Sequence, residues 1–175
     1  AGVVDTIENG GITTSGKGTE LEFNVIEEHR IIPGTDWQIP SHDASKNGTA
    51  MLKGILKDRS FPFPKSVYAV YDAIRFFVDD KPNALIVDFF AGSGTTLHAV
   101  NLLNAVDGGE RRCIIVTNNE VSESEAKELR KKGLQPGDKQ WEQYGIARYI
   151  TWPRTVCSIK GVDITGKPLK GNYGI

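Results

Sequence analysis

The stretch NALIVDFFAGSGTTLHAV, residues 83 to 100, constrains the fold more than any other part of the chain. Ala84 to Val87 is a short continuous apolar run, the pattern of a strand covered on both faces. Thr95 to Leu103 has helical spacing. Between them stand an acid, Asp88, and a turn of small residues, Ala91, Gly92, Ser93 and Gly94. Glycine lets a backbone turn sharply and lets a ligand approach it closely. Asp107-Gly108-Gly109 closes the helix, and Cys113 to Val116 reads as a second buried strand. Strand, helix, strand predicts a right-handed βαβ unit with parallel strands. In such a sheet, ligands bind beyond the carboxyl ends of the strands, where helix N-terminal amides face the crevice. Asp88 to Thr95 occupies that address.

The flanking segments extend this core. Val67, Tyr68, Tyr71, Ile74, Phe77 and Val78 recur at helical spacing, so residues 66 to 78 are expected to form an amphipathic helix. Ser122 and Glu125 have capping-box spacing and open a charged helix that stops at Gly133. Gln135 to Asp138 is a turn, followed by an aromatic stretch, Trp141, Tyr144, Tyr149 and Trp152, that Pro153 should break. Such aromatics are more often core than base-stacking platforms. Thr165-Gly166 marks a further turn.

Residues 1–45 read as a β-rich lead-in and 46–175 as the main domain. Glu8 to Gly11 is hairpin turn chemistry, and Leu21, Phe23 and Val25 alternate with polar residues as a half-buried strand does. Residues 32 to 48 are rich in Pro, Gly, Ser, Asp and Asn, which predicts irregular connection.

With 21 basic and 22 acidic side chains, a net charge of -1 leaves no global field for nucleic acid. Arg148, Arg154, Lys160, Lys167 and Lys170 make only the C-terminal stretch locally basic, a candidate phosphate-contacting face. Cys113 and Cys157 lie far apart without metal spacing, and His29, His42 and His98 lack partners at ligand spacing, so neither a disulfide nor a metal site is expected. These features, with no export or membrane signal in the sequence, point to a cytoplasmic protein.

Several ligand classes can be weighed at the glycine turn. A phosphate loop of the Walker type needs a lysine after the glycines, and none is there. A dinucleotide fingerprint needs Gly or Ala where Leu97 stands. A nucleoside carrying an amino-acid tail remains, as does a tight strand-to-helix turn without any ligand.

Asp88-Phe89-Phe90-Ala91-Gly92-Ser93-Gly94-Thr95 resembles the S-adenosylmethionine loop of amino-group DNA methyltransferases, Asp-x-Phe-x-Gly-Ser-Gly-Thr. Phe61-Pro62-Phe63-Pro64-Lys65-Ser66 resembles the other cofactor motif of these enzymes, which precedes the loop in their permuted β subclass. Arg112 to Glu120 and the segments after it are similar to Mod-like subunits of type III restriction-modification systems and related adenine-specific enzymes. The resemblance covers roughly residues 45 to 175, and the lead-in is weakly similar to the end of a target-recognition region.

The resemblance implies a partial α/β, Rossmann-like S-adenosylmethionine-dependent methyltransferase fold. It also implies a cofactor site at Phe63, Lys65, Ser66, Asp88, Phe90, Ala91, Gly92, Ser93, Gly94 and Thr95, with Asn118 and Glu120 at the ribose. Helix capping is the structural alternative for Asn118 or Asn119. The implied partners are DNA, a restriction subunit and a second copy of the chain. In the family, the target base is held by an Asp/Asn-Pro-Pro-aromatic segment, yet no two of the 8 prolines here are adjacent. A chain with the cofactor half alone is expected not to methylate by itself. Its first sheet strand would then show an open edge, to be covered by the N-terminal hairpin or a second copy. Methylation of the cytosine amine, a noncatalytic module with this fold and, more distantly, a nucleotide-dependent oxidoreductase are the alternatives.

Overall fold

The computed structural model describes residues 36–169 and, before them, the backbone of two strands at 12–15 and 22–25. The chain divides into two compact units, 1–37 and 38–175. In the first, β1 (Ile12–Ser15) pairs antiparallel with β2 (Glu22–Val25), Ile12 opposite Val25 and Ser15 opposite Glu22. The β2 strand is the one expected from the alternation of Leu21, Phe23 and Val25. The turn expected at Glu8 to Gly11 lies outside the described residues, as do His29 and Lys170.

The second unit carries the βαβ core. Its helices are α1 (Met51–Leu56), α2 (Val67–Val78), α3 (Thr95–Asp107), α4 (Glu123–Lys131) and α5 (Trp152–Lys160). Strands β3 (Leu85–Asp88) and β4 (Arg112–Ile115) flank α3 and pair in parallel, with Leu85 opposite Arg112 and Asp88 opposite Ile115. The order strand, helix, parallel strand is the one expected. Ser66 caps α2 by accepting from the Ala69 amide, and Ser122 caps α4 by accepting from the Glu125 amide. Gly108 ends α3 in the left-handed region, its amide bonded to the Asn104 carbonyl.

The core forms where α1, α2, α3 and α5 meet. Leu52, Ile55, Leu56, Val67, Ala99, Leu102, Ile150 and Cys157 are buried together, and a smaller cluster of Ala126, Leu129 and Trp141 lies under α4. Buried Arg111 ties the far ends of two helices together: it donates to the carbonyls of Val78 and Asp79 at the end of α2 and to Asp107 at the end of α3.

The structure corrects four expectations. The irregular connection stops at Ser45, where a wide helical turn (Ser45–Ala50) leads into α1. Gly48 makes this turn fit, because a Cβ there would overlap the Pro64 carbonyl oxygen. Second, β3 is not covered on both faces: Leu85 is 51% and Val87 44% exposed, and Ile114 and Val116 beside them are also exposed. Helix α3 packs against β4. Third, Pro153 does not break the chain's course. It stands in the first turn of α5, directly after a wide helical turn at Ala147–Thr151, and the Tyr149 carbonyl four residues before it, which Pro153 cannot serve, accepts from the Arg59 guanidinium instead. Fourth, Arg154 is not on a solvent-facing basic surface but fully buried.

Candidate cofactor site

The site is built at the carboxyl end of β3. Asp88 organises the turn that follows. Its Oδ1 accepts from the Phe90 amide at 2.9 Å, and its Oδ2 accepts from the Thr96 hydroxyl at 2.6 Å. One carboxylate thus holds the start of the loop and the first turn of α3 together. The Ala91 amide donates to the Val116 carbonyl, which fixes the loop to the end of β4. Gly92 and Gly94 both take positive φ, +49° and +77°, a region that is costly for other residues. Gly94 is the N-cap of α3, and no side chain caps that end. The first amides of a helix have no intrahelical acceptors, so this N-terminus is electropositive.

Two elements press on the loop from either side. From the upstream motif, Phe61 packs on Gly92, so that a Cβ at Gly92 would stand 3.1 Å from the Phe61 ring. From the helical run 147–160 come two side chains three positions apart, hence on one face. The Thr151 hydroxyl donates to the Gly92 carbonyl, and its methyl group closes on Gly94. Arg154 Nη1 donates to the Ser93 carbonyl, the Ser93 hydroxyl and the Thr95 hydroxyl at 3.3, 3.0 and 2.8 Å. Burial lowers the Arg154 pKa to about 10, which still leaves the guanidinium charged at neutral pH.

The sequence-predicted residues are placed as follows. Ala91, Ser93, Gly94 and Thr95 are buried in the loop, whereas Phe90 is 94% exposed. Phe63 has φ +51° and is 91% exposed, and it is Phe61 of the same motif that meets the loop. Ser66 is buried as the cap of α2 and donates to the Ser41 carbonyl. Lys65 is exposed, on a largely apolar groove that also includes Thr96. Glu120 lies beyond β4 and accepts from the Asn118 amide group. It opens into a cavity of about 310 Å³ walled by Phe61, Tyr144, Ile146 and Tyr149. Neither Asn118 nor Asn119 stands at the N-cap of a helix in sequence, but Asn119 accepts from the Arg148 amide in the first turn of the helical run that begins at Ala147, and it donates to Glu142. Burial, with the nearby Asp88 charge, pushes the Cys113 thiol up to about 11, so it stays protonated and unreactive at neutral pH.

Phe61, Thr151 and Arg154 were not singled out as site residues from sequence. Phe61 lay inside a recognised motif, but nothing distinguished it from Phe63. Thr151 and Arg154 come from a segment some 60 positions downstream of the loop, without a local signal.

A paired strand end, an acid-held glycine loop and an upstream aromatic closing on it coincide with a sequence match. Residues 16–145 match the family described as DNA methylase. The chain belongs to the DNA methylase family. Among curated proteins it is 40% identical over 106 residues to the type II methyltransferase M.KpnI of Klebsiella pneumoniae. It is also 38% identical over 89 residues to the Mod subunit of the type III restriction-modification enzyme EcoPI of Escherichia phage P1. A third relative, the StyLTI Mod subunit of Salmonella typhimurium, is 38% identical over 74 residues. These matches cover 60%, 51% and 42% of this chain but only 25%, 13% and 11% of the relatives, so the chain spans a quarter or less of each of them. Among the described residues, no helix is long and apolar enough to cross a membrane, and no cluster of His, Cys, Asp and Glu could hold a metal ion.

Proposed function

We propose that this chain is the S-adenosylmethionine-binding part of a site-specific DNA methyltransferase that acts on the exocyclic amine of adenine. The observation that carries the reading is the meeting of Phe61 with Gly92, which joins the two cofactor motifs into one site. The residues fit such a ligand. An uncapped helix N-terminus and the buried Arg154 guanidinium suit the carboxylate of a methionine tail. Glu120, in a cavity with aromatic walls, suits ribose hydroxyls and an adenine ring. In this reading Phe63, Lys65, Asp88 and Phe90 to Thr95 hold the methionine end, Asn118 and Glu120 the ribose, and buried Ser66 contributes by fixing the segment that carries Lys65.

When bound, S-adenosylmethionine supplies an electrophilic methyl group on its sulfonium. The chain's contribution is to bind and orient it, with the glycine loop held rigid by Asp88, Thr151 and Arg154. The target adenine must be turned out of the duplex and held by stacking, the task of an Asp/Asn-Pro-Pro-aromatic segment. These 175 residues contain no such segment, so the chain by itself binds cofactor and does not methylate. The partial domain corresponds to the cofactor half of a Rossmann-like sheet in residues 46–175, with 1–45 as a lead-in from target recognition. DNA, a restriction subunit and a second copy of the chain are its partners, and its setting is the cytoplasm.

Calorimetric titration with S-adenosylmethionine, with NAD as the control ligand, tests this. Selective binding that Asp88→Ala weakens supports the reading, and equal affinity for both ligands or for neither refutes it.

A further inference from the structure

Arg154 is charged, fully buried and without an acidic partner among the described residues. Only Nη1 is used, and every atom it meets is neutral: the Ser93 carbonyl and the hydroxyls of Ser93 and Thr95. Nε and Nη2 are buried with no hydrogen-bond partner. A buried charge is expensive unless an opposite charge compensates it, and buried guanidinium groups are ordinarily paired. Nothing in the fold requires a cation here for packing alone, since the same volume could hold an apolar side chain. The guanidinium stands directly behind the Ser93–Thr95 segment, at the N-terminus of a 13-residue helix that lacks a side-chain cap. The helix end and the guanidinium both favour an anion at the same place, in surroundings that screen charge poorly.

We infer that Arg154 is a positioning residue for the carboxylate of the bound cofactor. It acts through Ser93 and Thr95, whose hydroxyls it orients, and through its unneutralised charge behind the loop. This inference rests on the cofactor reading above and adds to it the group that selects the amino-acid tail. It also removes Arg154 from any DNA-phosphate surface, because its side chain cannot reach solvent.

The test compares S-adenosylmethionine with its decarboxylated form, which keeps the adenosine, the sulfonium and the amine and lacks only the carboxylate. Both are titrated calorimetrically into the wild-type chain, Arg154→Met and Arg154→Lys, and melting curves confirm that each variant is folded. Arg154→Met should weaken S-adenosylmethionine by about tenfold or more and the decarboxylated ligand by no more than about twofold. Arg154→Lys, which keeps the charge, should recover most of the loss. Equal weakening of both ligands would assign Arg154 to loop folding alone and overturn the inference while the cofactor reading stands. Unchanged S-adenosylmethionine affinity in a folded Arg154→Met would do the same. A wild-type chain that binds neither ligand overturns the cofactor reading and the inference together. If Arg154→Met does not fold, Arg154→Gln, which is neutral but keeps a hydrogen-bonding head, is read in its place: a preferential loss of S-adenosylmethionine supports the inference, and an equal loss of both ligands, or no loss, overturns it.

Discussion

Phe61 lies against Gly92, so close that a Cβ at Gly92 would stand 3.1 Å from the ring and force it to move. The two residues are 31 positions apart and belong to separate motifs. Gly92 is therefore constrained twice, by its positive φ and by the aromatic ring on it. Gly92→Ala should lower stability by about 1–2 kcal/mol from the left-handed backbone alone, with further loss if Phe61 is displaced. Denaturant unfolding of the variant beside Phe61→Leu, and beside the pair, checks this. The double variant should lose less than the sum of the two, because removing the ring relieves the crowding.

Asp88 gives both carboxylate oxygens to the loop, one to the Phe90 amide and one to the Thr96 hydroxyl. Asp88→Ala leaves both donors without their partner and should cost about 1.5–3 kcal/mol, the range for hydrogen bonds to a charged group. Thr96→Val removes only the second bond and should cost less. Chemical denaturation of the two variants gives the comparison.

Arg111 has no counterpart in the sequence motifs, yet it clasps the ends of α2 and α3 through Val78, Asp79 and Asp107. Arg111→Ala should destabilise the chain by about 2–4 kcal/mol, since it strands two carbonyls and one carboxylate. Because the clasp lies at the far end of α3 from the glycine loop, cofactor affinity in the folded variant should change little. Thermal melting and titration together separate the two effects.

Asp163 supplies a pH-dependent contribution. The Lys57 ammonium first, then the Thr165 hydroxyl, hold its carboxyl well below the usual carboxylate range. A carboxyl lowered in the folded state stabilises fully above its unfolded pKa, about 3.9, and that stability is lost as pH falls toward the folded value. Asp163→Asn should therefore melt below wild type at pH 7, and the gap should narrow as pH is lowered from about 4 to about 3. A gap that stays constant over that interval would contradict the assignment.

On one face of the β3–β4 pair, Leu85, Val87, Ile114 and Val116 are exposed. Contiguous apolar surface beside a free strand edge favours association. The chain should self-associate as concentration rises, and Val87→Lys should shift it toward monomer while changing stability by no more than about 0.5 kcal/mol. Sedimentation equilibrium measures the first effect and denaturant unfolding the second. A wild-type chain that is monomeric at every concentration would exclude this face as a contact surface.

Local patterning determined much of the fold. The helix at 67–78, the strands at 85–88 and 112–115, the helix from Thr95 and the charged helix after Ser122 all carry their own periodicity, caps or glycine stops. The helical turn at Ser45 was hidden, because Ser, Asn and Gly near its start mimic loop chemistry. Its reason is tertiary: Gly48 admits the backbone of Pro64 and Lys65. The apolar runs of β3 and β4 also misled, since a run of that kind shows that a surface favours burial, not what buries it.

The sequence by itself determined the strand, glycine loop and helix, since those depend on the residues' own φ preferences and on neighbours a few positions away. It also determined the order of the Phe61–Ser66 and Asp88–Thr95 motifs. Only the tertiary structure decided that Phe61 rather than Phe63 closes on Gly92, that Thr151 and Arg154 brace the loop, and that Arg154 is buried rather than basic surface. Those contacts join residues some 30 to 60 positions apart, where the choice among similar side chains depends on how helices pack and not on any local preference.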